Sequence, residues 1–364
     1  MRGLSVTAKV VACCFVAMAI ANDSRPQPGV GAPGNYTILQ HGQQCAQEIG
    51  PVPAFSCLDG EVIPITQGDI PVPDGQHAPN QRCDRPPLLG LGLSSTQGQC
   101  VPYSRVGTLP GRNAQGAPDP NIQWAFICRR YMVRSNANDP RFEDVALIGH
   151  NKATGATCFF QALKYQQGQD LAFDATRVPP PAEPAALTPA GKPKAADFWL
   201  KPQQTANIGC NRCHDSGAFI HTPHVDQVTR LVDGHPIPIV SADPNLKATP
   251  AEPSRYRFVG TPFQAWPEPV RMRPLGNVCT SCHNIGVYET CSRFAKNSTG
   301  LQRPNGITDY GWSWPRSHWM PPDTEVAGMT QAQWDQVYQT SLNKIVQCCG
   351  NVGDASCRRK PFDP

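Results

Sequence analysis

Two copies of the pattern Cys-x-x-Cys-His, at residues 210–214 and 279–283, carry the clearest chemistry in this chain. This spacing is that of c-type haem attachment, in which two cysteines on one helical turn form thioethers to the haem vinyl groups. The adjacent histidine then lies beneath the iron as an axial ligand. The pattern predicts two haem c groups, held by Cys210, Cys213 and His214 and by Cys279, Cys282 and His283.

Zinc and dithiol redox chemistry are the alternative interpretations of the paired cysteines. Two C-x-x-C pairs can supply a four-cysteine zinc site, and one pair can form a thioredoxin-like redox motif. Neither alternative explains a histidine directly after each pair. An exported chain also meets an oxidising environment, which disfavours a tetrathiolate zinc site. Haem therefore remains the favoured interpretation.

These motifs give the chain its resemblance to exported bacterial multihaem (dihaem) c-type cytochromes. The resemblance rests on residues 210–214 and 279–283 and more loosely on 318–322, and it covers about 160 residues. Segments 148–161 and 198–225 also look similar to large exported bacterial cytochromes of unestablished activity. The family implies haem that is attached covalently after export, and electron transfer as the default role.

A tryptophan-rich loop, residues 312–322, is the candidate source of the second axial ligand for the second haem. Its Met-Pro-Pro at 320–322 resembles the distal methionine loop of class I c-type cytochromes. His318 competes with Met320 for this role, and we favour Met320. The alternative is that Met320 only packs against the ring edge.

The first haem has several histidine candidates for its second axial position. His221 and His224 follow His214 too closely to wrap easily around the same porphyrin. In multihaem cytochromes such histidines often ligate a neighbouring haem. We favour His221, while His224, His150 and His235 stay open; His41 is expected to be solvated or merely hydrogen-bonded.

Four arginines precede the second motif and are candidates to bind haem propionates, because guanidinium groups pair well with carboxylates. Arg271 and Arg273 are the favoured pair, with Arg255 and Arg257 further upstream. A solvated arginine-rich loop is the equally weighted alternative.

The N-terminus has the features of an export signal. Arg2 and Lys9 precede the apolar run 10–20, and Ala19-Ile20-Ala21 matches a small-x-small cleavage site, so residues 1–21 are expected to be a signal peptide. A periplasmic or extracellular location follows from this. No later stretch is apolar enough for a membrane span.

Cysteine content agrees with export. Of 16 cysteines, two lie in the signal and four in the motifs, which leaves ten expected to form disulfides. Cys128–Cys158 is the favoured single pairing in the N-terminal half. Adjacent Cys348 and Cys349 rarely bond to each other, so one is expected to reach Cys291 and the other Cys357.

The Pro/Ala-rich segment 178–196 is expected to be a linker between two domains. Residues 22–177 are expected to form a disulfide-rich, mainly β module, with a strand at 124–133 and a hairpin of 145–150 and 156–162. Residues 197–364 are expected to form a loop-rich, mostly helical dihaem domain. The predicted fold class is therefore α+β.

The last helix is the best-defined predicted element of the C-terminal half. Thr330 and Gln333 are expected to form a capping box at its start. Its apolar face is formed by Trp334, Val337, Tyr338, Leu342 and Ile345, and Gly350 stops it.

An electron carrier between a redox protein donor and acceptor is the favoured function. A formal charge of +4, about +2 without Arg2 and Lys9, gives no electrostatic case for nucleic acid or an anionic membrane. The runner-up is a haem enzyme with one open coordination site, such as a dihaem peroxidase or a sulfur-compound dehydrogenase. A third class is a surface component whose disulfide-rich half binds another protein or a glycan.

Overall fold

A six-stranded sheet forms the largest element of the computed structural model. The structure describes residues 36–67, 70–78, 83, 100–164, 169–220, 223–232, 235–240, 256–281, 283–295, 331–351 and 353–361. The strands of this sheet are β1 (Glu61–Val62), β4 (Arg105–Leu109), β5 (Ile122–Arg129), β7 (Asp144–Asn151), β8 (Ala156–Leu163) and β12 (Arg257–Phe258). Their order in the sheet is β1-β4-β5-β7-β8-β12, and neighbours are antiparallel except for the parallel pair β8 and β12.

The remaining strands form four antiparallel pairs. They are β2 (Thr66–Gln67) with β3 (Ile70–Pro71), β6 (Arg141–Phe142) with β9 (Phe173–Asp174), β10 (Thr229–Val232) with β11 (His235–Pro238), and β13 (Val270–Met272) with β14 (Arg359–Pro361). The described α-helices are α1 (Ile38–Glu48), α2 (Ala195–Phe198), α3 (Pro202–Ile208), α4 (Pro223–Asp226) and α5 (Gln331–Gly350). Short 3₁₀ turns and one π-helical segment, Thr290–Ala295, complete the described structure.

The prediction that residues 197–364 form a mostly helical domain is wrong. After residue 197 the described helices are short except for α5, and five strands, β10 to β14, occur in the same region. The 39 prolines and 31 glycines of the chain interrupt helices before they lengthen. Strand β12 instead extends the sheet that the N-terminal half begins. The domain division expected at 178–196 stays a prediction.

The central hairpin is confirmed. Strands β7 and β8 pair from Asp144↔Leu163 to His150↔Thr157, and β5 confirms most of the strand expected at 124–133. Successive side chains point to opposite faces of a strand. Phe160 therefore enters the main core, whereas Phe159 packs in a second cluster on the other face.

Helix α1 covers the main core and is tied to the sheet by a disulfide. A capping box of Thr37 and Gln40 begins this helix. Cys45 of α1 bonds to Cys158 of β8, and Cys57 bonds to Cys128 of β5. The predicted Cys128–Cys158 bond is wrong because β5 and β8 lie on opposite sides of β7. Two strand spacings, roughly 9–10 Å, exceed the reach of a disulfide.

The C-terminal disulfides follow the expected connection. Cys291 bonds to Cys349, and Cys348 bonds to Cys357. Helix α5 ends at Gly350 as predicted, and Leu342 and Ile345 are buried. Val337, expected on the same apolar face, is 50% exposed. Thr330 lies outside the described residues, as does the side chain of Trp334.

Candidate functional site

The cysteines of the first motif differ from the disulfide-forming cysteines in their bonding. Ten described cysteines form five disulfides. Cys210 and Cys213 of the first motif are free thiols. Cys282 of the second motif lies outside the described residues. The two cysteines expected to bond the first haem are thus distinct from the cysteines that form disulfides.

The first motif forms a tight turn at the end of α3. Gly209 ends that helix in the left-handed conformation, with φ 73° and ψ 48°, which glycine adopts without the steric cost of a Cβ. A 3₁₀ turn, Cys210–Arg212, follows at once. The carbonyl of Cys210 accepts from Cys213 N at 3.1 Å and from His214 N at 2.8 Å. This turn brings both cysteines and the histidine together.

The ring of His214 is held in one tautomer. Its Nδ1 lies 2.7 Å from the carbonyl oxygen of Ala218. A carbonyl can only accept, so Nδ1 carries the proton and Nε2 keeps its lone pair. Burial lowers the pKa of His214 to about 4, so the imidazole is neutral near pH 7. A neutral imidazole whose other nitrogen donates to a backbone oxygen is the usual state of a histidine that binds a metal.

An aromatic cluster surrounds the first motif on the outer face of the sheet. The Phe159 ring meets His214 edge-on with centroids 5.6 Å apart. Tyr256 donates its hydroxyl to the His214 carbonyl at 2.7 Å. The apolar residues packed here with Cys210 include Ile148, Ala206, Ala218, Phe219, Phe258, Phe263 and Trp266.

Burial also governs the chemistry of the first pair of thiols. It raises the pKa of Cys210 to about 12 and that of Cys213 to about 12. Both remain protonated near neutral pH, whereas dithiol redox motifs depend on a thiolate. The surroundings of this pair therefore disfavour the thioredoxin-like alternative.

Asn277 organises the start of the second motif. Its Oδ1 accepts from Cys279 N and from Thr280 N, both at 3.1 Å. Its Nδ2 donates to the carbonyl of Ser341 in α5 at 2.7 Å. The His283 backbone then donates to Cys279 O at 2.9 Å, as in the first motif. The second motif is consequently fixed to the last helix.

The predicted propionate-binding arginines occupy different environments. Arg273 donates to Thr280 O at 2.7 Å and to Asn284 Oδ1 at 3.2 Å, so it supports the second motif. Arg271 is buried in β13. Arg257 instead forms an ion pair of 2.6 Å with Glu48. The roles of Arg271 and Arg273 toward propionates stay predictions, and Arg255 lies outside the described residues.

The two motifs meet at a junction that centres on Asp215, the residue after His214. Its carboxylate accepts from Tyr288 N and from Thr290 Oγ1, each at 2.6 Å. Arg212 adds a 2.6 Å ion pair with Glu289. Burial raises the pKa of Asp215 to about 7. The structure thus brings the segment after the second motif against the first.

Sequence reasoning missed Asp215 and Asn277. No local pattern marks Asp215, because its partners lie 73 and 75 residues away. Asn277 carried a usable signal, since an asparagine just before a helical turn caps its free N–H groups.

The candidates for the second axial positions divide into residues outside the described part of the chain and residues within it. Met320, His318 and His221 lie outside the described residues. His150 is buried on β7, with Nδ1 2.8 Å from Thr157 Oγ1. His41 is fully buried, so the solvated alternative for it is wrong, and its Nε2 lies 3.3 Å from Phe159 O. Within the described part of the chain, no group of three or more His, Cys, Asp or Glu side chains is placed to hold a metal ion.

Comparisons with protein-family models, with curated proteins and with solved structures find no match to this chain. Among the described residues, no helix combines the length and apolar character needed to cross a membrane.

Proposed function

We propose that the chain is an exported dihaem c-type cytochrome that transfers electrons between a redox protein donor and acceptor. The observation that carries this proposal is the state of His214: a neutral ring with Nδ1 engaged by Ala218 O. In the sequence, this ring directly follows two cysteines that the fold leaves out of its disulfides.

The described residues of the first motif fit a covalently bound haem. Cys210 and Cys213 would attach the group and His214 would coordinate its iron, with Cys279, Cys282 and His283 in the same roles at the second site. When bound, haem supplies one-electron exchange between the ferric and ferrous states. The protein sets the potential through the axial ligands, burial and hydrogen bonds. The aromatic cluster around His214 provides an apolar environment for the first site.

The junction at Asp215 favours a relay over two independent sites. It fixes the backbone beside His214 against the segment after His283. Electron transfer between two haems requires a short and constant separation, which such a junction would maintain. The five disulfides suit a periplasmic or extracellular location.

Intact-mass analysis of the protein, matured in a host that attaches haem c, tests the proposal. The unaltered protein should carry two haems, and Cys210→Ala and Cys279→Ala should each lose about one. The double variant Cys83→Ala/Cys100→Ala is the matched control, because it removes a disulfide away from both motifs and should keep both haems. Retention of two haems in either motif variant refutes that motif, and absence of haem from the unaltered protein refutes the function.

Optical spectra of the same protein distinguish an electron carrier from a haem enzyme with an open coordination site. Two low-spin, six-coordinate haems support the carrier. A high-spin ferric component indicates an open iron position and supports the dihaem peroxidase or sulfur-compound dehydrogenase alternative. Met320→Ala should lower the potential of one haem if Met320 is its axial ligand, and unchanged potentiometry of both haems removes Met320 from the proposal.

A further inference from the structure

Arg359 lies on a strand that packs beside the second motif. Its strand β14 pairs with β13, where Arg359 stands opposite Met272. Met272 is fully buried, and its N–H donates to Ile285 O at 2.8 Å. Ile285 is two residues beyond His283, so the backbone of β13 lies between Arg359 and the chain that leaves the second motif.

Within the part of the chain that the structure describes, two buried nitrogens of the Arg359 guanidinium, Nε and Nη2, have no hydrogen-bond partner. No ion pair joins it to a carboxylate among the residues that the structure describes. Arg359 as a whole is half-buried, but a buried N–H group without an acceptor is unfavourable. The two buried donors are satisfied only when an anion or another acceptor occupies this position.

The two unpartnered atoms lie on the same edge of the guanidinium. Nε–H and one Nη2–H point in parallel along that edge, which matches the two oxygens of a single carboxylate. The free edge therefore selects a carboxylate over a single carbonyl oxygen, which could satisfy only one of the two donors.

The electrostatic effect of Arg359 on Tyr288 indicates where Arg359 lies relative to the two motifs. Burial and the nearby Asp215 raise the pKa of Tyr288, and the charge of Arg359 opposes that rise. Arg359 thus lies within electrostatic range of Tyr288, whose backbone N–H binds Asp215. Arg359 is therefore near the segment that follows the second motif. Arg273, one of the two arginines favoured from the sequence, already donates to Thr280 and Asn284.

We propose that the Nε/Nη2 edge of Arg359 binds a propionate of the haem attached at the second motif. This inference rests on the proposed function, because the carboxylate belongs to that haem. A positive charge next to a haem disfavours the ferric form relative to the ferrous form. Arg359 therefore raises the potential of the second haem and contributes to the potential difference between the two sites.

The test compares Arg359→Gln, Arg359→Lys and Arg358→Gln in the haem-loaded protein. Arg358 is the matched control, since it is the preceding residue, carries the same charge and is exposed. Haem number is measured first by intact mass, and both midpoint potentials follow by spectroelectrochemical titration. The propionate bands in resonance Raman spectra provide a readout independent of potential.

Arg359→Gln should keep two haems and lower one midpoint potential. The expected shift changes the ferrous-to-ferric ratio about tenfold at a fixed applied potential, which is ~59 mV for a one-electron couple. Arg359→Lys should change the midpoint potential less, because it keeps the positive charge. It should still alter the propionate bands, because lysine lacks the two parallel N–H donors of the guanidinium. Arg358→Gln should leave both readouts unchanged.

Unchanged potentials in a two-haem Arg359→Gln protein overturn the inference, as does an equal shift in Arg358→Gln. If Arg359→Gln lowers the stability of the protein but changes neither potential, the Nε/Nη2 edge binds an acceptor of the chain itself. That result also overturns the inference. If Arg359→Gln does not mature, Arg359→Lys decides, since unaltered propionate bands exclude the contact. These results leave the proposed function standing, whereas absence of haem from the unaltered protein ends both.

Discussion

Thr290 donates its hydroxyl to Oδ1 of Asp215 at 2.6 Å, across 75 residues of sequence. This bond joins the residue directly after His214 to a residue seven positions beyond His283. Gly286 lies so close to the same carboxylate that a Cβ at this position would overlap it. Because Asp215 is buried and bonded at both oxygens, neither motif can shift without disturbing the other.

Gly286→Ala should separate this junction and destabilise the protein. The added methyl overlaps the Asp215 carboxyl group, and an overpacked core typically loses about 1–3 kcal/mol. Denaturant titration measures the free energy of unfolding. Gly350→Ala is the control, since a Cβ there contacts nothing within 4 Å. Equal stability of the two variants would show that Asp215 tolerates displacement.

Local patterns predicted the elements that depend on neighbouring residues. The segments 145–150 and 156–162 around the turn 151–155 predicted the hairpin, and both strands are largely buried in the structure. The pairing of Cys348 and Cys349 with different partners was predictable from geometry, since adjacent cysteines rarely bond to each other.

Long-range pairing lay beyond the sequence patterns. Strand β12 has only two residues, too few to show a period, yet it extends the sheet in parallel with β8. The partners of Cys128 and Cys158 depended on strand order and on where α1 packs. Asp215 and Arg359 acquire their partners and environment only after distant segments meet, so no spacing rule could identify them.

Asn277→Ala should loosen the second motif more than Ser341→Ala does. Asn277 accepts from two N–H groups of the motif and donates to α5, whereas the Ser341 hydroxyl accepts a single bond from Val278 N at 3.1 Å. Each lost bond costs about 1 kcal/mol, and more where a buried donor is left unsatisfied. Hydrogen exchange at Cys279 and Thr280 amides measures the effect. Equal exchange rates in the two variants would contradict the role of Asn277.

Acid should destabilise the protein partly through His41. Burial lowers the pKa of this fully buried histidine to about 4, against an ordinary value of 6.5. The unfolded chain therefore binds more protons between these values, and the stability that neutral His41 contributes is lost as pH falls from 6.5 through 4. The contribution is about 3 kcal/mol.

His41→Gln keeps a donor toward Phe159 O and cannot titrate. Lowering the pH from 7 to 4 should destabilise the unaltered protein more than this variant. The unfolding free energy of the unaltered protein should therefore fall relative to that of the variant. Denaturant titrations at half-unit pH intervals measure it, and histidines common to both proteins cancel. A difference that stays constant with pH would contradict a buried neutral His41.

Loss of the Cys291–Cys349 disulfide should destabilise the second site selectively. This bond spans 58 residues and ties the segment after the second motif to the last helix. Chain-entropy arguments give about 4 kcal/mol for a loop of this length, against about 3 kcal/mol for the 17-residue separation of Cys83 and Cys100. The difference in total stability is small, so the decisive measurement is local.

Cys291→Ala/Cys349→Ala should speed hydrogen exchange at the amides of Cys279 and His283. The exchange rate of the His214 amide should increase less. The Cys83→Ala/Cys100→Ala control should leave all three amides unchanged. If the disulfide variant increases the exchange rate more at His214 than at His283, this disulfide is not what holds the second motif in place, and the Asp215 junction is.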